Sequence, residues 1–349
     1  MWIDNMFGVK KPIITMLHLD PLPGDPRYYY GDCMDRVVEH ARADLHALQD
    51  GGVDGIMFSN EFSLPYERHM SFVTPAAMAR VIGELKSEIR VPYGVDCISD
   101  GLAAIELAAA VDAKFIRGTF SGVYVGDGGL YNNDFSQLLR RKAALHLDEL
   151  KMLYFINPES DRNLDTRPLA DIARSTIFKA HPDGLCISAN AAGQDVDDAL
   201  IASVKEIAPN VVVLCNTGCR PDTIEKKLAT ADAAVVGTYF KEGGRLENDN
   251  LENVRVDINR VKEFMDVVKA LRKLKGPRKG ATMKRIIPSV ASANQLFLAE
   301  EIGAFPAGTL LHVDIEDGNF VNNITFGMRT VRSIANMFPQ HPLCFHFMA

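Results

Sequence analysis

The chain has 349 residues, of which 47% are hydrophobic, and its formal net charge is −7. This length exceeds the size at which one hydrophobic core usually stops growing, so a full domain plus a smaller one is expected. The acidic balance argues against a nucleic-acid-binding surface, and no apolar run is long enough to span a bilayer. Six scattered cysteines and an amino terminus without a signal-peptide pattern predict a reduced, cytoplasmic protein.

Short apolar runs alternate with amphipathic stretches from about residue 12 to about residue 272. Strands that alternate with helices are parallel, and eight such units close as a TIM (β/α)8 barrel; an open doubly wound sheet is the alternative. The predicted strands are 13–17, 53–58, 93–97, 114–118, 152–156, 184–188, 211–215 and 234–237. The predicted helices are 34–50, 75–88, 102–110, 138–150, 168–180, 196–207, 221–229 and 256–274.

A segment without apolar periodicity follows the predicted barrel. Residues 275–283 are rich in lysine, arginine, glycine and proline, which predicts a linker. A phosphate- or nucleic-acid-binding arm is the alternative interpretation of its charges. The chain is therefore divided into a barrel over residues 1–274 and a C-terminal segment over residues 284–349.

Two loops of the predicted barrel have the composition of a phosphate site. They follow the seventh and eighth strands, where phosphate groups commonly bind in TIM barrels. Small residues let backbone N–H groups approach an anion, and a helix starting near Pro221 would add its positive dipole end. Tight turns that close the barrel are the alternative. The predicted phosphate-binding residues are Asn216, Thr217, Gly218, Gly237 and Thr238.

Ionisable side chains lie at the ends of other strands, on the face where TIM barrels carry their function. His18 and Glu61 are of types that transfer protons near neutral pH, and Arg117 suits a substrate carboxylate or phosphate. Lys241 is expected to be a solvated charge, and the Gly-rich segment 121–129 has the composition of a mobile lid. Anchoring of loops is the structural alternative for such residues, among them Asn60, Asp96 and Asp100.

Several motifs occur in the order in which the BtpA/SgcQ family has them: residues 16–26, 100–104, 115–117, 127–130 and 235–244. The chain resembles this family over residues 5 to about 272. The resemblance implies sugar or nucleoside metabolism, as for members in enteric bacteria, or photosystem I biogenesis, as for members in cyanobacteria, with no agreed reaction. Asp20 departs from the family pattern, because members commonly have proline there.

The C-terminal segment contains a His-x-Asp pair at the end of an apolar run, formed by His312 and Asp314. Alternate residues of a strand share a face, so the two side chains point the same way. Two hard ligands in this arrangement are typical of a metal site.

The stretch 312–327, residues 345–348 and the Pro288-Ser289 pair resemble the start of the ribulose-phosphate 3-epimerase family, most closely its sgc type. The resemblance implies an isomerase in which Ser289 lies with the substrate and Asp314 also transfers a proton. Many members have methionine at the position of Glu316, whereas the sgc type has glutamate. The substrate could therefore be a sugar phosphate other than ribulose 5-phosphate. The implied ligands of a divalent zinc, manganese or iron ion are His312, Asp314 and His346.

The epimerase-like module is expected to be incomplete. The family draws its second acid and its remaining metal ligand from an aspartate near the seventh strand of the same barrel, and this sequence ends after about three strands. The metal should therefore be held weakly, and an unpaired sheet edge and an uncovered apolar face are expected.

These observations support two hypotheses of different classes. In the first, a barrel enzyme acts on a small phosphorylated sugar or nucleoside-like substrate and is fused to an epimerase-like module; the reaction of the barrel is not identified. In the second, the barrel is a non-catalytic biogenesis or assembly factor with a remnant epimerase segment. No nucleic acid and no membrane insertion are expected, and self-association into a homo-oligomer is left open.

Overall fold

The computed structural model describes residues 1–28, 33–191, 193–244, 254–274, 287–318 and 324–348. The chain forms two compact units, Met1–Gly276 and Pro277–Ala349. The predicted linker, residues 275–283, lies outside the described residues. Within the described ranges, every helix is too short or too polar to cross a lipid bilayer.

The strands of the first unit are β1 Ile13–His18, β2 Gly55–Ser59, β3 Tyr93–Asp96, β4 Phe115–Gly118, β5 Val123–Gly126, β6 Gly129–Asn132, β7 Lys151–Asn157, β8 Arg162–Asn163, β9 Gly184–Ile187, β10 Val212–Cys215 and β11 Ala233–Val236. Eight of them close into a parallel barrel in the order β1-β2-β3-β4-β7-β9-β10-β11, with β11 pairing back onto β1. The predicted TIM barrel is confirmed, because these eight strands are the predicted ones within two residues at each end.

The helices of the first unit are α1 Trp2–Phe7, α2 Met34–Gly51, α3 Val73–Leu85, α4 Gly101–Val111, α5 Phe135–Ala144, α6 Leu169–Ala180, α7 Asp198–Ile207, α8 Ile224–Thr230 and α9 Ile258–Leu274. Two predicted boundaries are wrong. The helix expected over 138–150 ends at Ala144, and His146 beyond it takes a left-handed φ of 54°. The helix expected near Pro221 begins at Ile224 and has only 7 residues.

Most of the predicted lid, residues 121–129, lies in the β5–β6 segment, which forms part of a small antiparallel sheet. β5 pairs antiparallel with β6 and also with β8, and the side chain of Tyr124 on β5 is buried. Backbone pairing with β8 links the insertion after β4 to the loop after β7. Opening and closing of this segment stays a prediction.

Alternate residues of the barrel strands point to opposite sides, and they form two separate apolar clusters. The larger cluster packs the strands against the helices. The smaller one fills the barrel interior, and α1 closes its amino-terminal end: Ile3 is fully buried, and the Phe7 and Phe115 ring centroids are 5.7 Å apart. The barrel is therefore a packed core whose amino-terminal end is sealed by apolar side chains.

The inward-facing positions at the opposite, carboxyl end are polar. The next inward-facing residue of a strand lies two positions further along. It is His18 after the interior residue Met16, Arg117 after Phe115 and Asn216 after Leu214. Asp96, the last residue of β3, and Ser188, which follows β9, lie at the same level and are also buried. The sequence therefore changes from apolar to polar within two residues of each of these strand ends, and this change creates a polar layer above the core.

The second unit contains β12 Leu311–Glu316 and β13 Leu343–Met348, which pair in parallel, with α10 Leu298–Gly303 and α11 Met328–Met337. Its partial strand-and-helix architecture agrees with the expectation of a partial barrel. On β13, the side chains of Phe345 and Phe347 are 43% and 63% exposed. The buried core of this unit consists of Val290, Ile302, Leu311, Val313, Phe326, Val331 and Ile334.

The seal formed by α1 is expected to stabilise the barrel substantially. Replacing a buried phenylalanine by alanine costs about 3 to 5 kcal/mol, so Phe7→Ala should lower the free energy of unfolding by about 3 kcal/mol. Trp2 is the only tryptophan of the chain and lies on α1, so its fluorescence during urea unfolding reports this change. The matched control is Phe72→Ala, since Phe72 is 88% exposed; equal effects of the two changes would contradict the sealing role.

Candidate functional site

One cavity of about 120 Å³ lies at the carboxyl end of the barrel strands. We call it the strand-end cavity. It is lined by the ends of β1, β4 and β11 and by residues that follow β2, β7, β9, β10 and β11. This is the face where TIM barrels carry their function. All the site residues that the sequence predicts for the barrel line it: His18, Glu61, Arg117, Asn216, Thr217, Gly218, Gly237 and Thr238.

Arg117 is buried at the centre of the polar layer, and its guanidinium bonds to both sides of the barrel. Nε and Nη2 donate to Asp96 Oδ2 at 2.9 and 2.7 Å, and Nη1 donates to Asn216 Oδ1 at 2.9 Å. Asn216 in turn donates to Ser188 Oγ at 3.1 Å. The guanidinium also lies 4.9 Å above the ring of Phe155. Its positive charge is thus largely balanced by Asp96, so Arg117 orients groups in the cavity rather than supplying a free charge.

His18 is held neutral inside the cavity. Its ring is almost fully buried, and burial together with the positive charges of Lys241 and Arg117 moves its pKa well below the ordinary value. Nε2 lies 3.8 Å from Glu61 Oε2, which is beyond hydrogen-bond distance. Nδ1 has no hydrogen-bond partner among the described residues. A neutral imidazole with an unpaired nitrogen can donate to or accept from a bound ligand.

Glu61 has the properties of a general acid or base. Burial and repulsion from the neighbouring Glu159 raise the pKa of Glu61 to about 7. Its backbone carbonyl accepts a hydrogen bond of 2.9 Å from the hydroxyl of Tyr66, which fixes the loop after β2. A carboxyl group with a pKa near the operating pH can both give and take a proton.

The loops after β10 and β11 supply the part of the cavity that suits an anion. Gly218 has a φ of +70°, and a Cβ there would lie 2.3 Å from the backbone oxygen of Gln194, so only glycine fits. The Thr217 hydroxyl oxygen already accepts a hydrogen bond of 2.8 Å from the backbone N–H of Ala189. Seven-residue α8 is too short to add much dipole field, but the half-exposed Arg220 lines the same cavity.

Some residues behave differently from their sequence-based expectation. Lys241, expected to be solvated, is fully buried, with Nζ 3.3 Å from Asp44 Oδ2 on α2. The loop after β11 folds inward, and the ion pair compensates the buried charge. Asn60 and Asp100 anchor loops: the Asn60 side chain accepts from the backbone of Ile98, and Asp100 caps α4.

A second cavity of about 440 Å³ adjoins the first beneath the β5–β6 segment, and we call it the hairpin cavity. Glu61, Arg117 and Glu159 line both cavities, so the two adjoin at these three side chains. Glu159 follows β7, a position that the sequence reasoning did not consider. It could have been noticed as an acidic residue at the carboxyl end of a barrel strand.

The second unit brings its predicted ligands together. Asp314 Oδ1 lies 2.9 Å from His312 Nε2 and 3.2 Å from His346 Nδ1. The three ligand atoms lie within 4.8 Å of one another, because parallel pairing sets His346 opposite Asp314. Ser289 Oγ donates to Asp314 Oδ2 at 2.8 Å, so it orients the carboxylate. Two imidazoles and one carboxylate form a donor set that suits zinc, manganese or iron.

Sequence comparisons divide the chain into the same two parts as the fold does. The BtpA family model matches residues 9–270, and the ribulose-phosphate 3 epimerase family model matches residues 285–349. The sgc region protein SgcQ of Escherichia coli K12 is 43% identical over 272 residues, covering 78% of this chain and 99% of that protein. The protein TK2179 of Thermococcus kodakarensis is 32% identical, covering 75% and 97%. The photosystem I biogenesis protein BtpA of a Synechocystis strain is 30% identical, covering 73% and 89%.

The raised pKa of Glu61 has a measurable consequence for stability. Its folded value of about 7 exceeds the unfolded value of 4.5, so protonation stabilises the fold below pH 4.5, and this stabilisation is lost as the pH rises through 7. Wild type should therefore lose about 3 kcal/mol relative to Glu61→Gln between pH 4.5 and pH 8, as measured by urea unfolding. The control is Glu84→Gln on α3; a pH-independent difference for Glu61→Gln would contradict the assignment.

Proposed function

The chain belongs to the BtpA family, and we propose that its barrel is an enzyme that binds a small phosphorylated sugar or nucleoside-like molecule and transfers a proton on it. One observation carries this proposal. The strand-end cavity combines glycine-containing loops after the last two barrel strands with a partly buried carboxyl group, that of Glu61, whose pKa is about 7. An anion can be bound at one side of this cavity while a proton is moved at the other.

The anionic part of the substrate would lie against the loops after β10 and β11. Gly218, Gly237, Thr238 and Arg220 line this wall. Backbone N–H groups and the Arg220 guanidinium can donate hydrogen bonds to an anion there. Gly237 is packed closely enough that a Cβ would lie 3.3 Å from His18 Nε2. A phosphate there is therefore next to the candidate proton-transfer groups.

Proton transfer is assigned to Glu61, with His18 as a neutral hydrogen-bonding partner of the substrate. Glu61 would take a proton from a carbon or oxygen of the substrate, since its pKa is near neutrality. His18 can polarise a substrate oxygen without carrying a charge of its own. Arg117, held by Asp96 and Asn216, can donate its remaining N–H groups to a substrate oxygen and so orient it.

An assembly role for the barrel is the competing proposal, because one relative is named a photosystem I biogenesis protein. A scaffold would need a contiguous exposed apolar patch. The most exposed large apolar side chains of the barrel, Phe72 and Phe178, lie on different elements, near the start of α3 and on α6. The convergence of polar groups in the strand-end cavity favours the enzyme.

For the second unit, we propose a divalent-cation site formed by His312, Asp314 and His346. Its support is the 4.8 Å grouping of one carboxylate and two imidazoles, with Ser289 orienting the carboxylate. A cation held there would stabilise negative charge on a substrate oxygen. Because three protein ligands leave positions for water or substrate, binding should be weak unless a further ligand is supplied.

Phosphate recognition by the barrel can be tested with a panel of phosphorylated sugars and nucleotides in a thermal-shift assay. A ligand at a hundred times its dissociation constant adds about 2.7 kcal/mol, which raises the melting temperature of a unit of this size by roughly 5 °C or more. Arg220→Gln should weaken binding of the best ligand by about tenfold, which is 1.4 kcal/mol.

The matched control for that variant is Arg174→Gln, because Arg174 is an exposed arginine of α6, away from the cavity. It should leave the affinity unchanged. The absence of any shift across the panel, or equal effects of the two arginine variants, would argue against a phosphate site in the strand-end cavity.

The cation site can be tested by elemental analysis and by titration of the full chain with zinc or manganese. We expect weak, sub-stoichiometric metal that is abolished by Asp314→Asn combined with His346→Ala. His46→Ala on α2, an exposed histidine paired with Glu88, is the control and should change nothing. Tight, stoichiometric metal that survives the double substitution would assign the metal to another site.

A further inference from the structure

Several carboxyl groups besides that of Glu61 line the hairpin cavity. Asp127 on the β5–β6 turn and Glu159 and Asp161 after β7 line it, in addition to Glu61. Arg117 is the one cationic side chain that lines this cavity in the described part of the chain, and its charge is paired with Asp96. The cavity therefore has an excess of carboxylates over cations.

One of these carboxylates lacks a hydrogen-bond partner. Glu159 Oε2 is shielded from solvent and accepts no hydrogen bond from the described residues. Burial is the main reason that the pKa of Glu159 is raised; the positive charge of Arg117 opposes this shift, and repulsion from Asp96 adds to it. Buried carboxylate oxygens are normally satisfied, because leaving one without a donor costs free energy. A bound group that donates hydrogen bonds would satisfy it.

The remaining walls of the hairpin cavity are suited to a ring-sized molecule. Tyr66 and Tyr131 line it, and Arg68 lies 4.0 Å from the ring centroid of Tyr131. Arg68 also donates to the backbone oxygen of Gly128 and partly offsets the charge of Asp161 at the rim. Among the described residues, Asp127 and Glu159 have no partner within ion-pair distance, and Arg117 offsets the charge of Glu159 from beyond that distance.

The two cavities meet at Glu61, so a substrate that spans them would have its reacting atoms beside this carboxyl group. Resting on the proposed function, we infer that the substrate carries a protonated amino group or another nitrogen cation at the end remote from its phosphate. Glu159 and Asp127 bind this cation in the hairpin cavity. An ammonium group supplies up to three hydrogen-bond donors and a charge opposite to that of the lining.

A matched pair of probes tests this inference. Glucosamine 6-phosphate and glucose 6-phosphate differ only in having an ammonium or a hydroxyl group on one ring carbon. In calorimetric titrations of the full chain at pH 7, we expect the amino sugar phosphate to bind at least about tenfold more tightly. Fructose 1,6-bisphosphate, which places a second anion at the far end, should bind less tightly than glucose 6-phosphate.

The variant that tests the cavity is Asp127→Asn combined with Glu159→Gln, which removes two charges and keeps the side-chain shapes. Its preference for the amino sugar phosphate should fall below about threefold, while a cooperative thermal unfolding transition like that of wild type reports that the fold is intact. Asp266→Asn on α9, an exposed acid outside both cavities, should retain the full preference.

The outcomes separate the two proposals. Equal binding of the two probes by wild type, or a preference that survives the double substitution, overturns the cation site and leaves the phosphate site standing. Binding of neither probe, with no shift by other phosphorylated compounds, overturns both.

Discussion

The ion pair between Arg117 and Asp96 is the interaction on which the carboxyl end of the barrel depends. A guanidinium buried at this depth without a partner costs about 3 to 5 kcal/mol, so the carboxylate of β3 and the arginine of β4 require each other. The bond from Arg117 to Asn216 extends this pair to β10 on the other side of the barrel. The mouth of the barrel is therefore preorganised by its own side chains before any ligand binds.

The chemistry of the site follows from the position of this pair above an apolar interior. Because α1 and the inward-facing aliphatic residues keep water out from below, the groups at the mouth are desolvated. Desolvation makes His18 neutral, and with the repulsion from Glu159 it brings the pKa of Glu61 to about 7. His18 is thus neutral, and Glu61 exists in both protonation states near pH 7. Both lie beside the wall that contains Gly218 and Gly237, where the phosphate of a substrate is proposed to bind.

The barrel could be predicted from the sequence because apolar runs and amphipathic stretches alternate with little interruption, and strand ends identify loop-side residues such as His18, Arg117 and Asn216. Features that depend on tertiary packing could not be predicted. Nothing local shows that Lys241 turns inward to meet Asp44, which is 197 residues away in the chain. The local sequence does not predict α1 either, because six residues are too few to show a helical period. It does not identify Glu159, because the role of this residue depends on its closeness to Glu61 in the fold. In the second unit, the strand alternation sufficed for His312 and Asp314, while the pairing with His346 depended on a family resemblance.

The proposed function requires that an anion binds between the loops after β10 and β11. A crystal structure of the full chain with inorganic phosphate tests it most directly, because it locates the anion without a known substrate. We expect one phosphate in the strand-end cavity, within hydrogen-bond distance of the backbone around Gly218 and Thr238 and near Arg220. Phosphate bound elsewhere on the barrel, with this cavity empty at saturating concentration, would contradict the account.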